Sequence, residues 1–237
     1  MYINVFKRIE QKYILTKKEA EKVIDMMKNY VEEDEYFKSQ INNIYFDDVN
    51  DNLIQNCIIN PECKTKIRLR SYGVPHSMED KVYLEIKSKY NNITGKRRIG
   101  LYLRDYYNYL ETGQYDENNQ IMREIDYFFK FFNLVPKLYI GYDRLSYRAA
   151  NNKEFRITFD MNLVSRRYDL NLESGNYGEK YFSDDMVIME IKTLDAIPIW
   201  FTKILTKYKL YPNSFSKYGK IYQNEQIKKL EEEKLYA

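Results

Sequence analysis

Histidine and cysteine are nearly missing from this chain: His76 is its one histidine, and Cys57 and Cys63 are its two cysteines. An all-Cys/His four-ligand zinc site cannot be assembled from them, and a Ser-His-Asp or Cys-His mechanism has a single candidate base. Two cysteines make no disulfide framework and read as free thiols, while His76, inside the polar segment Gly73 to Asp80, reads as a solvated loop residue. Glycine and proline are scarce too, at 8 and 5 of 237 residues. No GxxxxGKS/T loop or GxGxxG turn occurs, so phosphate binding by a P-loop or a Rossmann turn is not expected. No apolar run approaches the roughly 18 to 20 residues that span a bilayer, and the N-terminus lacks a signal-peptide pattern, so a cytosolic chain is expected. Charge of one sign is also lacking: 38 Lys and Arg against 35 Asp and Glu leave a net charge of +3. A nucleic-acid surface is therefore not implied by the total, and an anion site must come from local arrangement.

What the chain does have is β-formers, with 25 Tyr and 12 Phe within a 44% hydrophobic composition. Alternation predicts a strand over Asn4 to Leu15. Thr16 and Glu19 then form a capping box ahead of a helix carrying Ala20, Val23, Ile24, Met27 and Val31 on one face. A short strand follows at Asn43 to Asp47, a short helix or turn at Asp51 to Ile59 near Pro61, and a strand at Lys64 to Tyr72. Lys81 to Lys89 and Lys96 to Leu103 read as a hairpin around Asn91 and Asn92. Ile121, Ile125, Phe128, Phe129 and Phe132 form a helical core stripe. Strands are expected at Lys137 to Arg148, Glu154 to Tyr168 and Met186 to Thr193, and helices at Pro198 to Tyr208 and Ser216 to Leu235. No linker divides the chain, which reads as a single domain over residues 1–237.

The chemistry lies in the polar positions of these strands. Ile67 and Leu69 must point one way, which sends Lys66, Arg68 and Arg70 the other. Glu85, Lys87 and Lys89 share a face in the next strand, as do Lys96 and Arg98, Glu190 and Lys192, and Arg8, Glu10 and Lys12; Arg156 continues the pattern in FRITFD. For any one strand a solvated face is the plain alternative. The paired LEIK and MEIK segments, with few Ser, Thr, Asn or Gln on these faces, favour a shared interior site. Such cations repel one another by up to ~4 kcal/mol per close pair, so an anion is expected among them, and Arg and Lys both suit phosphate. The glutamates could balance charge or hold a divalent ion together with phosphate oxygens.

In RIEQKY, KIRLRSYG, VYLEIKSK, GKRRI, YDRLSYR with FRITFD, VIMEIK and SFSKY, taken in order, the sequence resembles the catalytic domain of the vacuolar transporter chaperone (VTC) complex and its bacterial relatives. These belong to the CYTH-like triphosphate tunnel metalloenzymes, and the resemblance covers nearly the whole chain. It implies an α+β fold in which an antiparallel β-barrel of about eight strands forms a tunnel, with flanking helices. By matching motif positions, the phosphate-binding set is Lys12, Arg68, Arg70, Lys87, Lys96, Arg144, Arg156 and Lys217, with Ser216 as a hydroxyl donor. Of these, Arg68, Arg70, Lys87, Arg144 and Arg156 are the catalytic candidates. Glu190 is the implied ligand of Mn2+ or Mg2+, with Glu10 and Glu85 as further candidates. The implied reaction transfers the terminal phosphoryl group of ATP to a growing polyphosphate. The same site could instead hydrolyse tripolyphosphate or a nucleoside triphosphate, or serve as a non-catalytic module for polyphosphate or inositol phosphates. Arg8 stands where many tunnel hydrolases carry another glutamate, which argues against a standard hydrolase. The signalling domain and membrane helices of the eukaryotic complex are not found in this sequence, and protein partners are unknown.

Overall fold

The computed structural model describes residues 9–60, 62–91, 93–194 and 196–235. Arg8, the first residues of the expected N-terminal strand, Pro61 and Asn92 lie outside the described residues. The described chain has eight strands and six helices, an α+β fold. The strands are β1 (Ile9–Thr16), β2 (Val31–Asp47), β3 (Cys63–Tyr72), β4 (Lys81–Tyr90), β5 (Ile93–Tyr102), β6 (Val135–Ala149), β7 (Asn152–Arg166) and β8 (Met186–Thr193). The helices are α1 (Lys17–Met27), α2 (Asn52–Ile59), α3 (Leu103–Thr112), α4 (Gln120–Phe132), α5 (Ile199–Lys207) and α6 (Lys217–Leu235). Hydrogen bonding orders the strands β1-β8-β7-β6-β2-β3-β4-β5. The β1–β8, β7–β8, β2–β3, β3–β4 and β4–β5 pairings are antiparallel, and the expected eight-stranded antiparallel architecture is present.

Contacts group the chain into two compact units. One comprises residues 9–40, Tyr142–Leu163 and Phe182–Phe215; the other comprises Ile41–Gly141, Val164–Tyr181 and residues 216–235. In the first, alternation sends Tyr13 and Leu15 of β1, Phe155, Ile157 and Phe159 of β7, and Met189 and Ile191 of β8 into a core with Val23 and Met27 of α1 and Phe201 and Ile204 of α5. In the second, Ile67 and Leu69 of β3 and Val82, Leu84 and Ile86 of β4 pack against Leu103, Tyr106 and Tyr109 of α3 and Met122 and Ile125 of α4. Each set of strands therefore has one face covered by helices, and its alternate residues occupy the other face.

Several boundaries differ from the sequence expectation. β2 runs for 17 residues rather than over Asn43 to Asp47 alone, because the stretch from Val31 to Gln40 is mostly charged and exposed and carries no apolar alternation. Val31 opens β2 instead of extending the α1 stripe, since the chain turns after Met27 with Tyr30 N donating to Met27 O at 2.8 Å. α3 was hidden by β-forming tyrosines; the spacing of buried Leu103, Tyr106 and Tyr109 is helical. His76 is exposed, and Cys57 and Cys63 are free, as expected. Among the described residues no helix is long and apolar enough to cross a membrane.

The predicted capping box is formed: Glu19 N donates to Thr16 Oγ1 at 3.2 Å, and Thr16 N donates to the Glu19 carboxylate at 2.8 Å. Replacing Thr16 by Ala is expected to lower stability by about 1 kcal/mol, read as a lower urea midpoint with an unchanged m-value.

Candidate functional site

In the second unit the strand register assembles the site candidates in cross-strand rows, whose members share a face. One row runs Tyr45, Arg68, Glu85, Arg98 across β2 to β5, and the next joins Lys66, Lys87 and Lys96. Glu85, 1% exposed, is the hub. Its Oε2 accepts from Arg68 Nε at 2.8 Å and Nη2 at 2.6 Å, while Lys96 Nζ lies 2.8 Å and Arg98 Nε 3.5 Å from Oε1. Burial works against ionisation, but Arg68, Arg70 and Lys96 overcome it and hold the carboxyl far below the usual carboxylate range. Glu85 thus acts as an internal counter-ion.

Arg70 is buried and donates through Nε to Asn43 Oδ1 at 2.9 Å, and Asn43 is itself fixed by donating to Ile140 O at 2.9 Å. Lys66 donates to Ser216 Oγ at 2.6 Å, and the same oxygen accepts from Gly219 N at 3.1 Å, so Ser216 caps α6. Burial, helped by Lys64 and Lys87, lowers the Lys66 pKa. Lys87 and Lys96 are exposed, and Lys217 follows the cap as the first residue of α6. Among the described residues facing this side of β3, β4 and β5, Glu85 is the one carboxylate amid Lys64, Lys66, Arg68, Arg70, Lys81, Lys87, Lys89, Lys96 and Arg98.

The first unit presents a different charge pattern. Its rows are Glu10, Lys192, Arg156 and then Lys12, Glu190, Thr158 across β1, β8 and β7, so opposite charges alternate along and across β1 and β8, while Lys192 and Arg156 are like-charged neighbours. Lys12 Nζ lies 2.6 Å from Glu10 Oε1 and 3.8 Å from Glu190 Oε2, and Lys192 Nζ lies 2.5 Å from Glu190 Oε1. Burial lowers the Lys12 pKa, but Glu190 and Glu10 outweigh it and leave the ammonium held above its ordinary range. Lys12 is also anchored through its backbone, where its carbonyl accepts from Asn213 N at 2.7 Å. Both arms of the Arg144 guanidinium rest on buried Asp160, at 2.6 and 2.8 Å. Arg156 is half-exposed, 3.8 Å from Asp34.

Among the described residues no three His, Cys, Asp or Glu side chains converge to make a metal cluster. Glu10 and Glu190 nevertheless share one face, and the buried Thr158 Oγ1, next to Glu190 in the register, has no hydrogen-bond partner. These hard oxygen donors suit Mg2+ or Mn2+ completed by phosphate oxygens and water.

The sequence-derived site set therefore falls on two charged faces. Arg68, Arg70, Glu85, Lys87, Lys96, Ser216 and Lys217 lie in one unit, and Glu10, Lys12, Arg144, Arg156 and Glu190 in the other. Lys66, Arg98 and Lys192 belong to the same faces but had been noted only for their alternation. Tyr45, Asn43 and Asp160 were missed, although polar Asn43, Tyr45 and Asp47 alternate with apolar Ile44 and Phe46.

Because the Glu85 pKa is depressed in the folded state, its contribution to stability is full above the ordinary carboxylate pKa and is lost as pH falls through the folded value. Glu85→Gln should thus be destabilised at pH 7 and show a smaller acid-side loss than the parent, measured by thermal melts from pH 7 to pH 3. Added tripolyphosphate should recover part of the deficit by neutralising the uncovered cations.

The family model for the VTC domain matches residues 7–224. A solved structure named as a candidate adenylate cyclase from Bacillus halodurans aligns with a TM-score of 0.55 at 12% identity, over 89% of this chain and 94% of that one. A second, named likewise and from Vibrio parahaemolyticus, aligns at 0.48 with 13% identity over 89% and 94%. No curated protein matches the sequence. The first of these structures shows a shared fold at low identity. With the family match extending over most of its length, this chain belongs to the VTC domain family.

Proposed function

We propose that this protein is a triphosphate-processing domain, and more specifically a metal-dependent polyphosphate polymerase that uses ATP. The observation that carries this reading is the β3–β5 face, where one buried carboxylate stands among nine cations laid out in cross-strand rows. Such a surface needs an anion with several charges in sequence, which a phosphate chain supplies. VTC domain membership and the fold shared with a protein named as a candidate adenylate cyclase support a triphosphate as the substrate class.

In the proposed reaction a terminal oxygen of the acceptor polyphosphate attacks the γ-phosphorus of ATP. The bond from that phosphorus to the β–γ bridging oxygen breaks, its electron pair leaves with ADP, and the acceptor grows by one phosphate. Arg68 and Arg70, held rigid by Glu85 and Asn43, bind the phosphate oxygens without reorganising. Lys66, Lys87 and Lys96 add point charges along the chain, and Lys217 and Ser216 contribute from the start of α6. Lys12, Arg144 and Arg156 belong to the phosphate-binding set as well, Arg144 from a position fixed by Asp160. Glu190 with Glu10 would hold a divalent ion, Mn2+ or Mg2+, whose chemistry is neutralisation of phosphate charge.

One observation favours a second reading, a polyanion-binding module without turnover: Lys12 and Lys192 already lie against Glu10 and Glu190. Incubation with ATP and Mn2+ separates the two. Polymerase activity gives a phosphate ladder on a gel with matching ADP release, whereas phosphate release without a ladder indicates hydrolysis. Tripolyphosphate binding with no turnover identifies the binding module. Arg68→Ala with Arg70→Ala should weaken tripolyphosphate binding at least a hundredfold in calorimetry, an order of magnitude set by losing two charge-assisted contacts of about 1.5–3 kcal/mol each. Glu190→Gln should reduce turnover far more than binding; equal loss of both would count against a metal role for Glu190.

A further inference from the structure

Tyr45 ends the row that runs through Arg68 to Glu85, and it is 6% exposed. Its hydroxyl accepts a hydrogen bond from Arg68 Nη1 at 3.0 Å, on the side of the guanidinium away from Glu85. A phenol oxygen that accepts still has one hydrogen to give, and among the described residues none takes it. On β3, Arg68 stands opposite Tyr45 in the register, with Lys66 and Arg70 on either side of it on the same face. From α6 the Tyr218 ring lies 5.1 Å away, its own hydroxyl directed to Asp47 Oδ2 at 3.1 Å and Asp51 Oδ1 at 3.4 Å. Glu85 of β4 meets this group only through Arg68. A buried hydroxyl with a hydrogen to donate, set among cations, matches a negatively charged oxygen.

We propose that Tyr45 is a further phosphate ligand, donating its hydroxyl hydrogen to an oxygen of the chain bound by Arg68, Arg70 and Lys66 while Arg68 holds the phenol in place. The proposal rests on the reading of the β3–β5 face as a phosphate site. It also gives that face a pH limit. Burial resists ionisation of the phenol, but Arg68, Arg70 and Lys66 outweigh it and bring its pKa down to about 8. Below that pH the neutral hydroxyl donates. Above it the phenolate pairs with Arg68, has no hydrogen to give and repels phosphate.

The test is calorimetric binding of inorganic tripolyphosphate between pH 6.5 and pH 9.5 to the parent and to Tyr45→Phe, which keeps the ring. At pH 6.5 the variant should bind about tenfold more weakly, the value of one hydrogen bond to a charged group. The parent's advantage should shrink as pH rises through 8 and reverse toward pH 9.5, where the phenolate repels phosphate and phenylalanine does not; the ligand's own titration is common to both and cancels. A second readout uses the parent protein alone: the earliest-titrating tyrosine by ultraviolet absorbance should ionise near pH 8 and shift upward when tripolyphosphate is added. Equal affinity of parent and variant at pH 6.5, with Arg68→Ala still disrupting binding, overturns the role of Tyr45 and leaves the phosphate site standing. Failure of the parent to bind tripolyphosphate overturns both. A weaker variant whose deficit is the same at every pH, with no ligand-dependent shift in absorbance, also overturns the proposal, since it assigns the phenol a packing role.

Discussion

The buried ion pair between Glu85 and Arg68 is the interaction on which the cationic face depends. A carboxylate at 1% exposure would be costly if isolated, and so would the guanidinium and ammonium groups around it. Placed together in adjacent cross-strand rows, they offset each other's charge, with Arg68 giving Glu85 Oε2 two hydrogen bonds, while the face keeps a large positive excess. Glu85 removes only part of the repulsion, so Arg68, Lys96 and Arg98 can be held near one another without cancelling their attraction for an anion. The helix-covered opposite side, with Ile67, Leu69, Leu84 and Ile86, keeps that arrangement rigid.

The face of β1, β8 and β7 follows another electrostatic logic. There Glu10, Lys12, Glu190 and Lys192 alternate in sign along and across β1 and β8, Arg156 lies beside Lys192, and Arg144 is engaged by Asp160. Near-neutral local charge suits metal-assisted chemistry, in which carboxylates must stay ionised while lysines remain available to phosphate.

Much of this was legible in the sequence because a β-strand converts alternation directly into facing. Ile67 and Leu69 determine where Arg68 and Arg70 point, and the LEIK and MEIK segments repeat the rule. Partner identity was not legible. That Arg144 rests on Asp160, Arg70 on Asn43 and Lys66 on the α6 cap depends on pairings between residues far apart in the chain, which no local spacing encodes. β2 was cut short in the sequence reading because residues 31–40 carry charge on both sides, so the period-two signal that revealed β3 and β4 has nothing apolar to mark it. The role of Tyr45 was masked by composition: in a chain with 25 tyrosines, one more in a strand looks ordinary until its neighbours are known.

The strict alternation of β3 also acts as a proofreading device during folding. A slip of one residue against β4 would turn Lys66, Arg68 and Arg70 toward the layer formed by Tyr106, Tyr109 and Ile125, and expose Ile67 and Leu69 in their place. Such a misaligned sheet would bury three cations without counter-ions and lose its apolar packing together, so the residues of the cationic face also penalise every odd register the hairpin could adopt.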